Sequence, residues 1–179
     1  MDCALNILRS VIKIRYALMR SMDISNGRGI GVSLFVQGCR ARCKNCFNSE
    51  TWCFDGGKEW TEETKKMFLE LASKPYVVRI SILGGEPFEP ENLDGVIDLL
   101  KTVKEMYPDK EVWVYTGHNF DNVLKSKESF ALPYIDVLVD GKFIEELKDI
   151  TLKWRGSSNQ HLIDVQKTLA SDKIVLYNK

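Results

Sequence analysis

Val77-Val78-Arg79-Ile80-Ser81-Ile82-Leu83-Gly84-Gly85-Glu86-Pro87 is a β-branched, apolar run stopped by two glycines. It has the length of a buried strand, and the glycines supply the backbone freedom to turn out of one. Downstream, Leu93, Val96, Ile97, Leu100, Val103 and Tyr107 recur at steps of three and four, the spacing of one helical face, before Val112-Trp113-Val114-Tyr115 reads as a second strand. Strand, helix and strand in that order predict a right-handed crossover between parallel neighbours. Outward from this unit the pattern repeats. Leu34-Phe35-Val36 lies before it, Ile135-Asp136-Val137-Leu138-Val139 lies after it, and Ile174-Val175-Leu176-Tyr177 closes the series. A further helix should begin at Thr61 as N-cap, with Glu62 and Glu63 in its first turn and Met67, Phe68 and Leu71 on one face.

The predicted fold class is therefore α/β: a partial (open) TIM-like βα barrel of about five or six mostly parallel strands in a single domain, since a complete eight-stranded barrel needs a longer chain. That domain covers residues 14–179. Residues 1–13 read as an N-terminal extension in which Leu5, Leu8 and Ile12 could share a helical face. A chain of 179 residues buries enough core to fold without staples. Its 25 basic and 25 acidic side chains cancel, which argues against nucleic acid as a partner. No stretch approaches ~18 apolar residues, and the N-terminus lacks a basic segment leading into an apolar run, so neither a membrane span nor a signal peptide is expected. Of 5 cysteines, Cys39, Cys43 and Cys46 crowd into one short loop, which suits metal chemistry in a reducing compartment better than a disulfide framework. The expected location is cytoplasmic.

The chemically unusual residues all follow strands. Cys39 to Cys46 follow the first, Gly84-Gly85-Glu86-Pro87 the second, Thr116-Gly117-His118 the third and Asp140-Gly141-Lys142 the fourth. In parallel α/β architectures these carboxyl ends share one rim, where ligands bind. Three thiolates on one loop are one short of a closed structural zinc or ferredoxin-type site, and so point to a cluster with one open position. A zinc knuckle completed by Cys53, His118 or His161 is the competing reading, because soft thiolates alone do not choose the metal. Gly84-Gly85-Glu86-Pro87 by itself is only a turn. On the shared rim its glycines would let backbone carbonyls approach a ligand such as an ammonium group.

These motifs resemble the radical S-adenosylmethionine (SAM) superfamily and, within it, the activating proteins of anaerobic ribonucleoside-triphosphate reductases. The resemblance runs from about Ile14 to the C-terminus. It is carried by Asp23-Ile24-Ser25-Asn26-Gly27, Val32 to Cys39, Cys46-Phe47-Asn48, Ile82 to Pro87, Tyr115-Thr116-Gly117 and Trp154-Arg155-Gly156-Ser157-Ser158-Asn159-Gln160. It implies that Cys39, Cys43 and Cys46 hold a [4Fe-4S] cluster at the catalytic centre and that S-adenosyl-L-methionine occupies the open iron. One electron from a flavodoxin-like donor then yields a 5′-deoxyadenosyl radical, which takes hydrogen from a glycine of the reductase. It further implies that Gly84, Gly85 and Glu86 cradle the methionine end, that Asn45, Cys46 and Phe47 meet the adenine side, and that Thr116 and Gly117 meet the ribose or carboxylate. Asp140 and Lys142 are weaker candidates. Many relatives carry an aromatic residue before the last cysteine, whereas here Asn45 holds that place and Phe47 follows. The alternatives are a pyruvate formate-lyase-type activase or small-molecule enzyme of the same superfamily, and a non-catalytic zinc-binding adaptor.

Other residues read in two ways each. Cys53, beside Trp52 and Phe54, is a packed thiol or a fourth ligand, and His118 is a capping residue or part of the cofactor lining. Arg155 with Ser157 to Gln160 is a solvated loop or a docking surface for the reductase. Arg40, Arg42 and Lys44 give the cysteine loop positive charge, which would attract an acidic electron donor if those charges are free.

Overall fold

The computed structural model describes residues 14–171 and 173–178. The expected extension 1–13, with Cys3, lies outside the described residues. Seven strands form one sheet: β1 (Arg15–Asp23), β2 (Gly31–Val36), β3 (Lys58–Glu59), β4 (Arg79–Gly84), β5 (Glu111–Tyr115), β6 (Val137–Asp140) and β7 (His161–Asp164). Their order across the sheet is β3-β1-β2-β4-β5-β6-β7. β2, β4, β5 and β6 run parallel, while β1, β3 and β7 pair antiparallel at the edges. The central parallel strands are those expected from the sequence. The count of five or six is corrected to seven among the described residues, and the sheet is mixed and not a closed barrel.

The added strands escape local pattern in two ways. β1 mixes Arg, Ser, Met and Leu and leaves Leu18 41% and Met22 63% exposed, so neither strand nor helix periodicity marks it. Antiparallel pairing with β2 makes it a strand. β3 and β7 are too short to carry a period. Ile174–Tyr177, expected as a strand, forms only an isolated bridge between Ile163 and Leu176 and a bond from Tyr177 N to Leu162 O.

Alternation along the parallel strands gives the sheet two unlike faces. Ile80, Ile82, Val112, Val114 and Leu138 point into the main core under the helices. Helix α1 (Glu62–Ala72) starts at Thr61, whose side chain accepts from Thr64 N, and it buries Phe68 and Ala72. Met67, expected on the same face, is instead 54% exposed, because the Phe68 to Ala72 step sets the buried stripe about one residue further round. Helix α2 (Pro90–Met106) opens with Pro at its first position and buries Leu93, Val96, Leu99, Leu100 and Val103. Each such side chain contributes roughly 1.5–3 kcal/mol of transfer free energy. Two short helices, α3 (Phe120–Leu124) and α4 (Val165–Ala170), complete this layer. The opposite face carries Ser33, Phe35, Arg79, Ser81, Leu83, Trp113 and Tyr115, and the site opens on that side.

Candidate functional site

The loops after β2, β4, β5 and β6 leave the same end of the parallel strands and line one cavity of ≈ 590 Å³. Cys39, Cys43, Cys46, Phe47, Gly84, Gly85, Glu86, Thr116, Gly117 and Lys142 all face it. Asn45 and Asp140 do not line it. Asn45 is exposed with a left-handed backbone (φ 54°), and Asp140 is buried, accepting from Phe120 N (3.0 Å), His161 N (3.1 Å) and the His161 ring.

The cysteine loop leaves β2 through Gly38, whose φ of 94° and contact with the Phe54 ring leave no room for a side chain. Arg42 (φ 44°) and Asn45 (φ 54°) then bend it twice into left-handed backbone, an arrangement that is costly for Arg and tolerable for Asn. Cys39, Cys43 and Cys46 are free and half-buried. Burial pushes the Cys39 thiol up, and the backbone amides of Ala41 and Arg42 oppose it. The Cys43 thiol is also raised, by burial and by Cys46, against Lys142 and the amide of Phe143. Cys46 Sγ accepts from Asn48 N at 3.4 Å. Of the three cations on this loop, Arg40 is bonded to Glu89 and Glu91, and Lys44 to Glu146. Arg42 lies over the Trp52 ring, 5.7 Å away. The electropositive loop expected from the sequence is thus largely neutralised.

Backbone hydrogen bonds lock the second loop onto the first. Gly85 N donates to Val36 O and Glu86 N to Gly38 O, both at 2.8 Å. The side-chain amide of Asn92 donates to Gln37 O and Glu86 O, both at 2.9 Å. Gly84 is left-handed (φ 108°), and a methyl group on Gly85 would press into the Gly38 carbonyl, so both glycines are required. Glu86 is buried and points sideways along the rim. Its Oε1 accepts from Phe88 N and Thr116 Oγ1 at 2.9 Å, and its Oε2 from Gly117 N at 2.7 Å. Burial pushes its carboxyl up, opposed by His118 and by these three donors. Glu86 therefore fastens the loop after β4 to the loop after β5.

Several parts of the site were not assigned from the sequence. The Arg79 guanidinium is fully buried behind the Asp23–Asn26 turn. It donates to Asp23 O (2.6 Å) and Ser81 Oγ (2.9 Å) and lies 3.8 Å from Asp23 Oδ1. Asp23 in turn accepts from Ser25 N, Asn26 N and the Asn26 side chain, which places Ser25 and Asn26 against the cavity. A lone Arg in an apolar strand run was the available signal. Arg155 to Gln160 proves to be a wall of the cavity. Gln160 Oε1 accepts from Gly156 N (2.9 Å) and Ser157 N (3.2 Å), its side-chain amide donates to Gly141 O (2.9 Å), and Ser157 is fully buried. Trp154, left-handed at φ 60°, stacks edge-on against Trp113 at 5.3 Å.

The donor set suits an iron–sulfur cluster better than a lone metal ion. Among the described residues no three His, Cys, Asp or Glu already converge as a single-ion shell. A cluster, by contrast, spreads its ligand sulfurs over separate irons. The residues weighed as a fourth zinc ligand line none of the cavity: His118 Nδ1 meets Glu128 at 2.9 Å, His161 Nδ1 meets Asp140 at 3.0 Å, and Cys53 is exposed elsewhere. Trp52 Nε1 and Tyr115 Oη are buried without a hydrogen-bond partner, and both residues line the cavity, as expected of walls that await a polar ligand.

Comparison with known proteins agrees with this donor set. Residues 25–163 match the model of a 4Fe-4S single cluster domain. The chain is 42% identical over 141 residues to the anaerobic ribonucleoside-triphosphate reductase-activating protein of Vibrio cholerae, covering 78% of this chain and 90% of that protein. It is 38% identical over 141 residues to the Escherichia coli protein of that name, covering 78% and 91%. It is 36% identical over 149 residues to the one of Enterobacteria phage T4, covering 83% and 93%.

Proposed function

The chain belongs to the anaerobic ribonucleoside-triphosphate reductase-activating proteins, and from that premise we propose how its cavity carries out the activation. The protein is a radical SAM enzyme that activates the reductase. When bound, a [4Fe-4S] cluster with S-adenosyl-L-methionine supplies, by one-electron reductive cleavage, the 5′-deoxyadenosyl radical that takes hydrogen from a glycine of the reductase. The remaining work is positioning and exclusion of competing hydrogen donors.

In this reading Cys39, Cys43 and Cys46 are the thiolates that would hold the cluster. Gly84 and Gly85, kept bare by their contacts with the β2 strand and loop, admit the methionine end close to the backbone. Glu86 holds Thr116 and Gly117 in place, so its contribution to the cofactor is made through that turn. Phe47 lines the adenine side, and Asn45 contributes through the left-handed bend that presents Cys46. The four parallel strands with helices on one face and the cavity on the other support describing the sheet as an open TIM-like barrel. A flavodoxin-like donor supplies the electron, and the cytoplasm is the compartment that suits the exposed thiol of Cys53 and the cluster. No helix among the described residues is long and apolar enough to cross a membrane.

The observation that carries this reading is the convergence of three cysteines and two glycine-containing turns on one cavity that no fourth cysteine and no histidine among the described residues lines. The test is electron paramagnetic resonance of the protein mixed anaerobically with the reductase, S-adenosyl-L-methionine and reductant. A doublet on the reductase is expected. Cys43→Ala should lose both cluster and doublet, and Cys53→Ala should keep both. Stoichiometric zinc without cofactor cleavage, or equal loss in both variants, would overturn the assignment.

A further inference from the structure

Arg40 stands between the first two cluster cysteines, yet it does not line the cavity: its side chain, 57% exposed, reaches the start of α2. Its backbone amide donates to Glu89 Oε1 at 2.7 Å. Its guanidinium donates to Glu89 Oε2 (2.5 Å), Glu91 Oε2 (2.9 Å) and Glu91 Oε1 (2.5 Å). The same group lies 4.2 Å over the Phe54 ring. Glu89 directly precedes α2, and its side chain, only 10% exposed, makes no cap bond to that helix, so its carboxylate is committed to Arg40.

The loop needs such a tether. Arg42 and Asn45 hold it in left-handed backbone, a strain that persists only where surrounding contacts impose it. The other ion pair of the loop, Lys44 with Glu146, is 71% and 68% exposed, a class that contributes little. The Arg40 fork differs on its Glu89 arm: Arg40 is 57% and Glu91 46% exposed, but Glu89, 10% exposed, takes both the backbone amide and one guanidinium nitrogen, a planar two-acid contact that a point-charge ammonium cannot make.

We propose that Arg40, with Glu89 and Glu91, is a positioning clamp that seats the Cys39 end of the loop on α2 and Phe54 before iron arrives, so that retention of the cluster depends on it. The inference rests on the reading of Cys39, Cys43 and Cys46 as cluster ligands. Without the clamp the loop samples open forms in which Cys39 leaves its iron and a competing chelator can enter. The global fold is untouched, because the clamp lies outside both apolar cores.

The experiment reconstitutes the full chain anaerobically as wild type, Arg40→Ala, Arg40→Lys and Glu89→Gln. Each is exposed to a ferrous-iron chelator while the visible absorbance of the cluster is followed. Arg40→Ala and Glu89→Gln should lose the cluster about tenfold faster than wild type, the size expected for one charge-assisted hydrogen bond of a half-buried pair. Arg40→Lys should fall between. Hydrogen exchange of the metal-free proteins should show faster exchange for amides 40–46 in Arg40→Ala, in excess of any uniform change across the sheet amides. Wild-type decay in Arg40→Ala, or an acceleration that Glu89→Gln does not share, overturns the clamp. A wild-type protein that takes up no cluster overturns the ligand reading instead. The exchange data then decide the clamp alone, and unaltered protection of residues 40–46 in Arg40→Ala refutes it.

Discussion

Glu86→Gln keeps the shape of the rim and changes only who donates to whom. In the native protein Oε1 accepts from Phe88 N and Thr116 Oγ1, and Oε2 accepts from Gly117 N at 2.7 Å. A glutamine can satisfy the first two with its oxygen, but its amide nitrogen then faces the Gly117 N–H, donor against donor. One charge-assisted bond, worth about 1.5–3 kcal/mol, is lost, and one half-buried N–H is left facing another donor. Relief of desolvation offsets part of this, since the neutral amide no longer places a charge in a fully enclosed position. A net loss of about 2 kcal/mol follows, or ~4–8 °C in melting temperature for a domain of this size. Thermal unfolding at neutral pH, with cluster content and the KM for S-adenosyl-L-methionine measured alongside, is the assay. Cluster content should hold while KM rises, because the released element is the Thr116-Gly117 turn. An unchanged melting temperature together with an unchanged KM would refute the claim that this carboxylate ties the two loops.

Two further changes probe the Arg79–Asp23 pair and the rim. Arg79→Met leaves Asp23 buried with its amide donors but without the guanidinium, and should cost about 3 kcal/mol in urea unfolding, the low end for breaking a buried pair; a loss below ~1 kcal/mol would mean the pair is not holding the Asp23–Asn26 turn. His118 sits half-buried, which lowers its pKa, but Glu128 outweighs this and raises it above 6.5. The His118–Glu128 contact therefore stabilises fully below the unfolded value and fades as pH rises through the folded one. Glu128→Gln should shift the His118 titration downward by nuclear magnetic resonance, and an unmoved midpoint would contradict the pairing.

Legibility in the chain followed distance along it. β2, β4, β5 and β6 and the helices α1 and α2 announce themselves because their side chains alternate or recur between near neighbours and are buried as that pattern demands. β1 does not, since half of it faces solvent and its identity as a strand comes from pairing with β2. The cysteine triplet is a local spacing and was readable. The bond from Thr116 to Glu86 spans 30 residues, and that from Arg40 to Glu89 spans 49, so no local pattern could announce either. Arg155 to Gln160 is polar in composition like a solvated loop, but Arg155, Gly156, Asn159 and Gln160 make hydrogen bonds to one another and to Gly141 and Lys142, which composition does not reveal.

From residue order alone come the alternating strands and helices, the three-thiolate loop and the glycine turns, because each depends on neighbours a few positions apart. Only the folded chain decides that Glu86 serves Thr116 and Gly117 and that Arg79 meets Asp23. Which distant donors and charges meet is a property of the folded sheet, where buried groups must find partners wherever the chain happens to bring them.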